Sequence, residues 1–148
     1  MKMEVEKSNE GALTIPAQMA AGLMRKLAYL ESQANLGSWE YDPHSGCFSW
    51  SDQLYLLLSA EKAAGAPDIQ EFAEFFHPQD QLPFLSAFNT LKRGEIPSSK
   101  ILRSNPDRGP LKYFLAGYTI EKETSGKTIL FMGTIQDITL RKQEEERR

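Results

Sequence analysis

The first regular pattern of the chain is helical. Small and apolar residues recur at alternating spacings of three and four, which places them on one face of a helix. This stripe consists of Ala20, Leu23, Leu27 and Leu30. Pro16 stands where a helix can begin, so the pattern predicts a flanking helix over residues 15–34. Its spacing fits a helix packed on its own domain and equally a seam that pairs with the same helix of a second chain.

The leader and the segment after this helix differ in pattern. Residues 1–14 mix charged, Ser, Asn and Gly residues without periodicity, which predicts a disordered leader. Residues 38–42 alternate every second position, and a turn rich in Pro, Ser and Gly joins them to residues 47–50, so a β-hairpin is predicted. Ser51 and Asp68 then stand as caps before two short apolar helices.

The second half of the chain predicts one longer helix and then only strands. The helix covers residues 81–92, with Pro83 in its first turn, where proline is tolerated. Beyond it the apolar period becomes two, and turn residues separate the strands of an antiparallel meander. These strands are residues 99–103, 111–121 and 127–136. The charged segment 140–148 is too short for a stable isolated helix, so we expect it to be the start of a longer C-terminal linker helix.

Five strands pooled into one sheet predict an α+β domain over residues 35–139. The connections are too few for parallel crossovers, so the sheet should be antiparallel, with the middle helices covering one of its faces. At 148 residues the chain fits one domain of ordinary size.

Composition excludes several classes of function. Seventeen Lys and Arg against twenty Asp and Glu give 17 − 20 = −3, so no basic field attracts nucleic acid. The longest apolar run, residues 54–58, is far shorter than the ~20 residues of a membrane span. Cys47 is the single cysteine and cannot form an internal disulfide or a structural zinc site. We therefore expect a cytoplasmic segment without membrane contact, although a parent protein could be membrane-anchored elsewhere.

Five short motifs stand in order along most of the chain. They are residues 36–42 (LGSWEYD), 48–55 (FSWSDQLY), 77–80 (HPQD), 105–109 (NPDRG) and 133–139 (GTIQDIT). Together they resemble a PAS domain of the kind common in bacterial sensor proteins. The resemblance implies a sheet of strand order 2-1-5-4-3 that cups a small interior. It also implies an input or coupling module of a larger signalling protein, most often a histidine kinase of a two-component phosphorelay or a cyclic-dinucleotide enzyme.

Asp137 and Thr139 join the last strand to the charged tail. A short polar side chain at a helix start accepts backbone N–H bonds, and a carboxylate there complements the helix dipole, so a plain helix cap explains both residues. In PAS domains such an acid and threonine resemble a transmission latch, in which the acid pairs with a basic residue of the exit helix. Arg141, four residues after Asp137, is the candidate partner.

Aromatic residues of the predicted strands and helices are candidates for a ligand pocket, although such residues are more often simply core. The candidates are Trp39, Trp50, Phe72, Phe84, Phe88, Tyr113 and Phe131. We predict no cofactor or metal. Haem remains open through His77, whereas flavin photochemistry is not expected because Cys47 lacks the Asn-Cys-Arg-Phe-Leu-Gln run of light-sensing relatives.

The residues favour a sensory and signal-coupling module over an enzyme. The chain contains no Gly-rich phosphate loop, no nucleophile elbow and no helical metal-ligand pair. We expect a homodimer formed through the N-terminal stripe and an output domain in the same polypeptide. The alternative is a dedicated haem-binding or small-molecule-binding domain, in which sensing resides in this chain alone.

Overall fold

The architecture is that of a computed structural model, which describes residues 6–7, 13–14 and 16–147. The helices are α1 (Ala17–Gln33), α2 (Asp52–Leu57), α3 (Ile69–Ala73), α4 (Pro78–Lys92) and α5 (Thr139–Glu146). The strands of the main sheet are β1 (Leu36–Asp42), β2 (Cys47–Trp50), β3 (Lys100–Arg103), β4 (Tyr113–Lys122) and β5 (Thr128–Asp137).

The five strands form one sheet of order β2-β1-β5-β4-β3, in which every neighbouring pair is antiparallel. The predicted α+β class and the strand order 2-1-5-4-3 are therefore confirmed. β5 lies in the middle, paired with β1 on one side and with β4 on the other. The last strand of the chain thus contacts both halves of the sheet before the chain leaves the domain.

Helices α2 to α4 cover one face of this sheet. One close approach is at Gly37 of β1, where an added Cβ would lie 2.6 Å from the Cα atom of Leu54. Ser51 fixes this approach, because its hydroxyl accepts hydrogen bonds from the backbone N–H groups of Leu54 (3.3 Å) and Ser38 (3.0 Å). One cap therefore starts α2 and holds it on β1.

Helix α4 begins earlier than the sequence pattern predicts. Pro78 occupies its first turn, and the Nδ1 atom of His77 accepts a hydrogen bond from the backbone N–H of Gln79 at 3.1 Å. The prediction that Pro83 lies in the first turn is wrong, since Pro83 is inside the helix and removes one backbone donor there. The proline at the true start was the stronger signal.

The motif at residues 77–80 also joins helix to sheet. The Asp80 carboxylate accepts hydrogen bonds from Arg103 of β3, from the backbone N–H (2.8 Å), Nε (3.0 Å) and Nη2 (3.0 Å). Burial raises the pKa of Asp80, but the side-chain and backbone hydrogen bonds from Arg103 outweigh it, so the pKa lies below its usual value. This ion pair fixes the start of α4 on the edge strand.

The leader departs from its prediction in one respect. Two short strands within residues 1–14, Glu6–Lys7 and Leu13–Thr14, pair antiparallel. A pairing of this length is made by backbone groups and leaves no period in the side chains, so the sequence pattern did not indicate it. The other predicted leader residues lie outside the described residues.

Candidate functional site

The junction between β5 and α5 is a compact network of hydrogen bonds. The Thr139 hydroxyl donates to Asp137 Oδ1 (2.5 Å), and the Thr139 backbone N–H donates to the same oxygen (2.9 Å). From β4, the Tyr113 N–H donates to Thr139 Oγ1 (3.0 Å), and the backbone carbonyl of Tyr113 accepts from the Ile138 N–H (2.9 Å). On the other side, the Asp137 N–H donates to the carbonyl of Asn35 (2.8 Å). The start of α5 is thus bonded to segments on both sides of β5.

This network determines how the exit helix leaves the domain. Helix α5 has no buried residue, whereas Ile138 directly before it is buried. Beyond the junction, Lys142 Nζ lies 5.9 Å from the centre of the Tyr113 ring. Because so little side-chain packing holds α5, its direction depends on the hydrogen bonds around Thr139.

The resemblance implies an ion pair between Asp137 and Arg141, and the structure places the two side chains apart. Its side chain is exposed, and within residues 16–147 no ion pair joins it to Asp137. Spacings of i and i+4 bring side chains together only within a helix, and Asp137 belongs to the strand. The structure brings Asp137 and Thr139 together and leaves Arg141 apart, and the Asp137 carboxylate accepts hydrogen bonds from Thr139 and not from Arg141.

Six of the seven candidate pocket residues lie together in the core. Their rings contact each other directly: Phe72 has its ring centre 4.7 Å from that of Trp50 and 4.8 Å from that of Phe84. The six are Trp39, Trp50, Phe72, Phe84, Phe88 and Phe131. Tyr113 is not among them, because Phe114 is the residue of that pair whose ring points inward. The core explanation therefore fits the six, and Tyr113 belongs to the junction.

One contact of this core bears directly on β5. The indole of Trp39, only 2% exposed, lies against Gly133, where an added Cβ would be 2.2 Å from the ring atom Cε2. Trp39 and Gly133 are opposite each other in the β1–β5 register. The sequence contained a signal for this contact, since an isolated glycine within a strand pattern indicates a close approach.

The interior also contains polar groups that sequence reasoning missed. The Nε1 atoms of Trp39 and Trp50 are buried and have no hydrogen-bond partner among the described residues. Tyr118 lies beside Trp39, with ring centres 6.3 Å apart, and burial raises its pKa to about 12. Its phenol is therefore neutral at physiological pH.

Neither His77 nor Cys47 lies in this interior. His77 lines an outer groove with Arg103 and Tyr113, and its Nδ1 is used as a helix cap. Cys47 is exposed on β2. In the described part of the chain, no group of three or more His, Cys, Asp and Glu residues is placed to hold a metal ion.

The N-terminal stripe is exposed. Leu23, Leu27 and Leu30 have 42%, 60% and 59% of their surfaces accessible, and Ala20 is half-buried. Helix α1 contacts the domain near its C-terminal end, where the Ser38 hydroxyl donates to Glu31 Oε1 at 2.6 Å. The three leucines are therefore not packed against the domain of their own chain.

No helix in residues 16–147 is long and apolar enough to span a membrane.

Comparison with solved structures identifies this arrangement. A sensory box histidine kinase/response regulator from Burkholderia thailandensis is 22% identical, with a TM-score of 0.58 over 82% of this chain and 90% of that one. The N-terminal domain of a diguanylate cyclase with a PAS/PAC sensor from Marinobacter aquaeolei is 18% identical, with a TM-score of 0.60 over 72% and 97%. The PAS domain of the fruit-fly ELK potassium channel is 13% identical, with a TM-score of 0.56 over 78% and 97%.

The chain has a PAS fold. No protein-family model matches it, and no curated protein sequence matches it. The resemblance inferred from the five motifs is confirmed at the level of fold. Four of the motifs are now explained physically. Residues 48–55 contain Ser51, which caps α2 and holds it on β1, and residues 77–80 hold α4 on β3. Residues 133–139 contain the Trp39 contact and the exit junction, and residues 36–42 contain the tryptophan itself.

We predict that Gly133→Ala destabilises the PAS fold by about 2–3 kcal/mol or more, because the new Cβ would displace the buried Trp39 ring. Gly117→Ala on β4 is the matched control. There the Cβ would meet the end of a side chain, Thr134 Oγ1, at 3.0 Å, so we expect a change below ~1 kcal/mol. Urea unfolding measures both, and equal stability of the two variants would show that Trp39 does not depend on Gly133.

Proposed function

We propose that this chain is a non-enzymatic sensory and coupling module, in which the state of the sheet and its interior sets the direction of the exit helix α5. The observation that carries the proposal is the position of β5. This central strand touches Trp39 in the interior at Gly133 and, four residues later, forms the hydrogen-bonded junction at Asp137.

The geometry gives this coupling a physical route. A change that moves the Trp39 ring moves the backbone against which it lies, because no side chain separates the two. A shift of β5 relative to β4 then strains the bonds that join Tyr113 to Ile138 and Thr139. Packed interfaces of this kind have discrete arrangements, so a small displacement becomes a change between two poses of α5.

The output domain that we propose lies in the same polypeptide, and a sensor histidine kinase of a two-component system is our first choice. The similarity to a domain of a sensory box histidine kinase/response regulator supports it. A cyclic-dinucleotide enzyme is the second choice, supported by the similarity to the domain of a diguanylate cyclase. With either output domain, the catalysed reaction would take place outside this segment.

A dedicated haem or small-molecule domain is less well supported by the interior. The core rings are in direct contact, and His77 lines an outer groove. We therefore consider signal transmission through β5 a better-supported function than binding of a ligand in the aromatic core.

We further propose that the module is a homodimer through α1. Three leucines exposed at helical spacing form a continuous apolar strip with Ala20, and a strip of this kind buries its surface by pairing with a second copy. A paired α1 would place the two domains side by side, as coupling to a shared output requires.

The junction can be tested in the full-length protein that contains this chain. Thr139→Val removes the hydroxyl that bonds to both Asp137 and Tyr113, so we expect a loss of about 1 kcal/mol in stability and about a fivefold or larger change in basal output. Arg141→Gln, at an exposed position, is the control and should change neither. Output is measured as autophosphorylation or nucleotide cyclisation. A folded Thr139→Val protein with normal output would contradict the proposal, and an equal effect of Arg141→Gln would favour the acid–arginine pair.

The dimer has its own test in the 148-residue chain. Leu27→Glu puts a charge at the centre of the exposed strip and should give a monomer. Arg25→Glu, on the opposite face of α1, changes charge as well and should leave the dimer intact. Light scattering coupled to size exclusion measures the mass. A monomeric wild type, or a dimer that survives Leu27→Glu, would refute dimerisation through this strip.

A further inference from the structure

A cleft lies at the edge of the aromatic core, between the end of α2 and the connection from β3 to β4. Its volume is about 100 Å³. Three buried side chains, Leu58, Phe75 and Phe114, form an apolar floor. Arg108 and Lys112 line the same cleft, so it combines an apolar base with two cationic residues.

The two cations lack acidic partners. Within residues 16–147, no carboxylate lies within 4 Å of Arg108 or Lys112. The guanidinium carbon of Arg108 lies 3.9 Å from the centre of the Phe75 ring, a stacking contact that holds the planar group in place while leaving its edge free to donate. An oriented guanidinium edge is suited to bind a carboxylate through two parallel hydrogen bonds.

The surroundings restrict which anion can bind. Arg108 also borders a neighbouring cleft whose lining includes four acidic residues, Glu61, Asp68, Glu71 and Glu74. Their negative charge repels a second anionic group on that side, which favours a ligand with a single carboxylate. The size sets a further limit: an apolar cavity of ~150 Å³ holds benzene, so only a short apolar tail fits a cleft of about 100 Å³.

We propose that this cleft is a binding site for a small organic monocarboxylate. The carboxylate group lies on Arg108 and Lys112, and the short tail contacts Leu58 and Phe114. The residues that line this cleft include none of the seven pocket candidates and none of the junction network.

Lys112 of the cleft directly precedes Tyr113 of the exit junction. If the proposed sensory function holds, a ligand in the cleft would regulate the output through this neighbour. Lys112 and Ser104 exchange hydrogen bonds, from the Lys112 N–H to Ser104 Oγ (2.8 Å) and from the Ser104 N–H to the Lys112 carbonyl (2.9 Å). The next residue, Tyr113, donates to Thr139. A ligand that orders Lys112 therefore acts on the segment that positions α5.

Binding is tested by titrating the isotopically labelled 148-residue chain with sodium acetate, propionate and butyrate and following backbone amide signals. We expect saturable shifts at Ser59, Ser104 and Lys112 with propionate or butyrate, and none with butyramide or sodium chloride at equal concentration. Arg108→Gln should weaken binding by about tenfold or more, because it removes charge-assisted hydrogen bonds. Arg93→Gln, at the end of α4 and away from the cleft, is the matched control and should bind as the wild type does.

Two results would overturn the site: shifts that butyramide or chloride reproduces, and carboxylate binding that Arg108→Gln leaves unchanged. Failure of the proposed function is distinguishable, because binding is measured without any output. If propionate or butyrate binds through Arg108 but leaves the output of the full-length protein unchanged, the site stands and its role in coupling is refuted.

Discussion

The contact on which the rest of the structure depends is that of the Trp39 indole with the backbone of Gly133. It is possible only because position 133 has no side chain, and it places the largest residue of β1 directly on the central strand. The remaining core aromatics pack outward from this contact, with Phe48, Phe72 and Tyr118 all in ring contact with Trp39. The interior and the strand that leaves the domain are therefore one packed unit.

The other end of β5 differs in kind, because it is held by hydrogen bonds and little packing. Thr139 satisfies a donor from β4 and donates to Asp137, while Ile138 anchors the turn in the core. Each such bond contributes only about 1 kcal/mol, so α5 is held less firmly than the buried strands of the sheet. In the coupling module proposed above, the buried strand would pass a displacement to this weakly held helix without unfolding.

Residue patterns predicted the fold well, whereas the contacts of the candidate site residues depend on packing that spacing does not report. Alternation of apolar residues located the five strands, and the family motifs supplied their order, which periodicity does not report. The hydrogen bonds between Asp137 and Thr139 were not predicted, because a spacing of four residues indicates a side-chain contact only inside a helix, and Asp137 ends a strand. Tyr113 was assigned to the interior as an aromatic residue, whereas the pleat of β4 turns Phe114 inward. The charged cleft at Arg108 depends on segments about 30 to 50 residues apart and has no local signature.

Native-state hydrogen exchange of the wild-type chain tests the central claim most directly, namely that the exit junction and the central strand open as one unit. The account predicts that the amides of Tyr113, Asp137 and Ile138 exchange with the same free energy and the same denaturant dependence as the buried amide of Ile135. Rapid exchange at Tyr113 and Ile138 through a local opening, with Ile135 still protected, would show that the junction moves independently of β5 and would contradict the account.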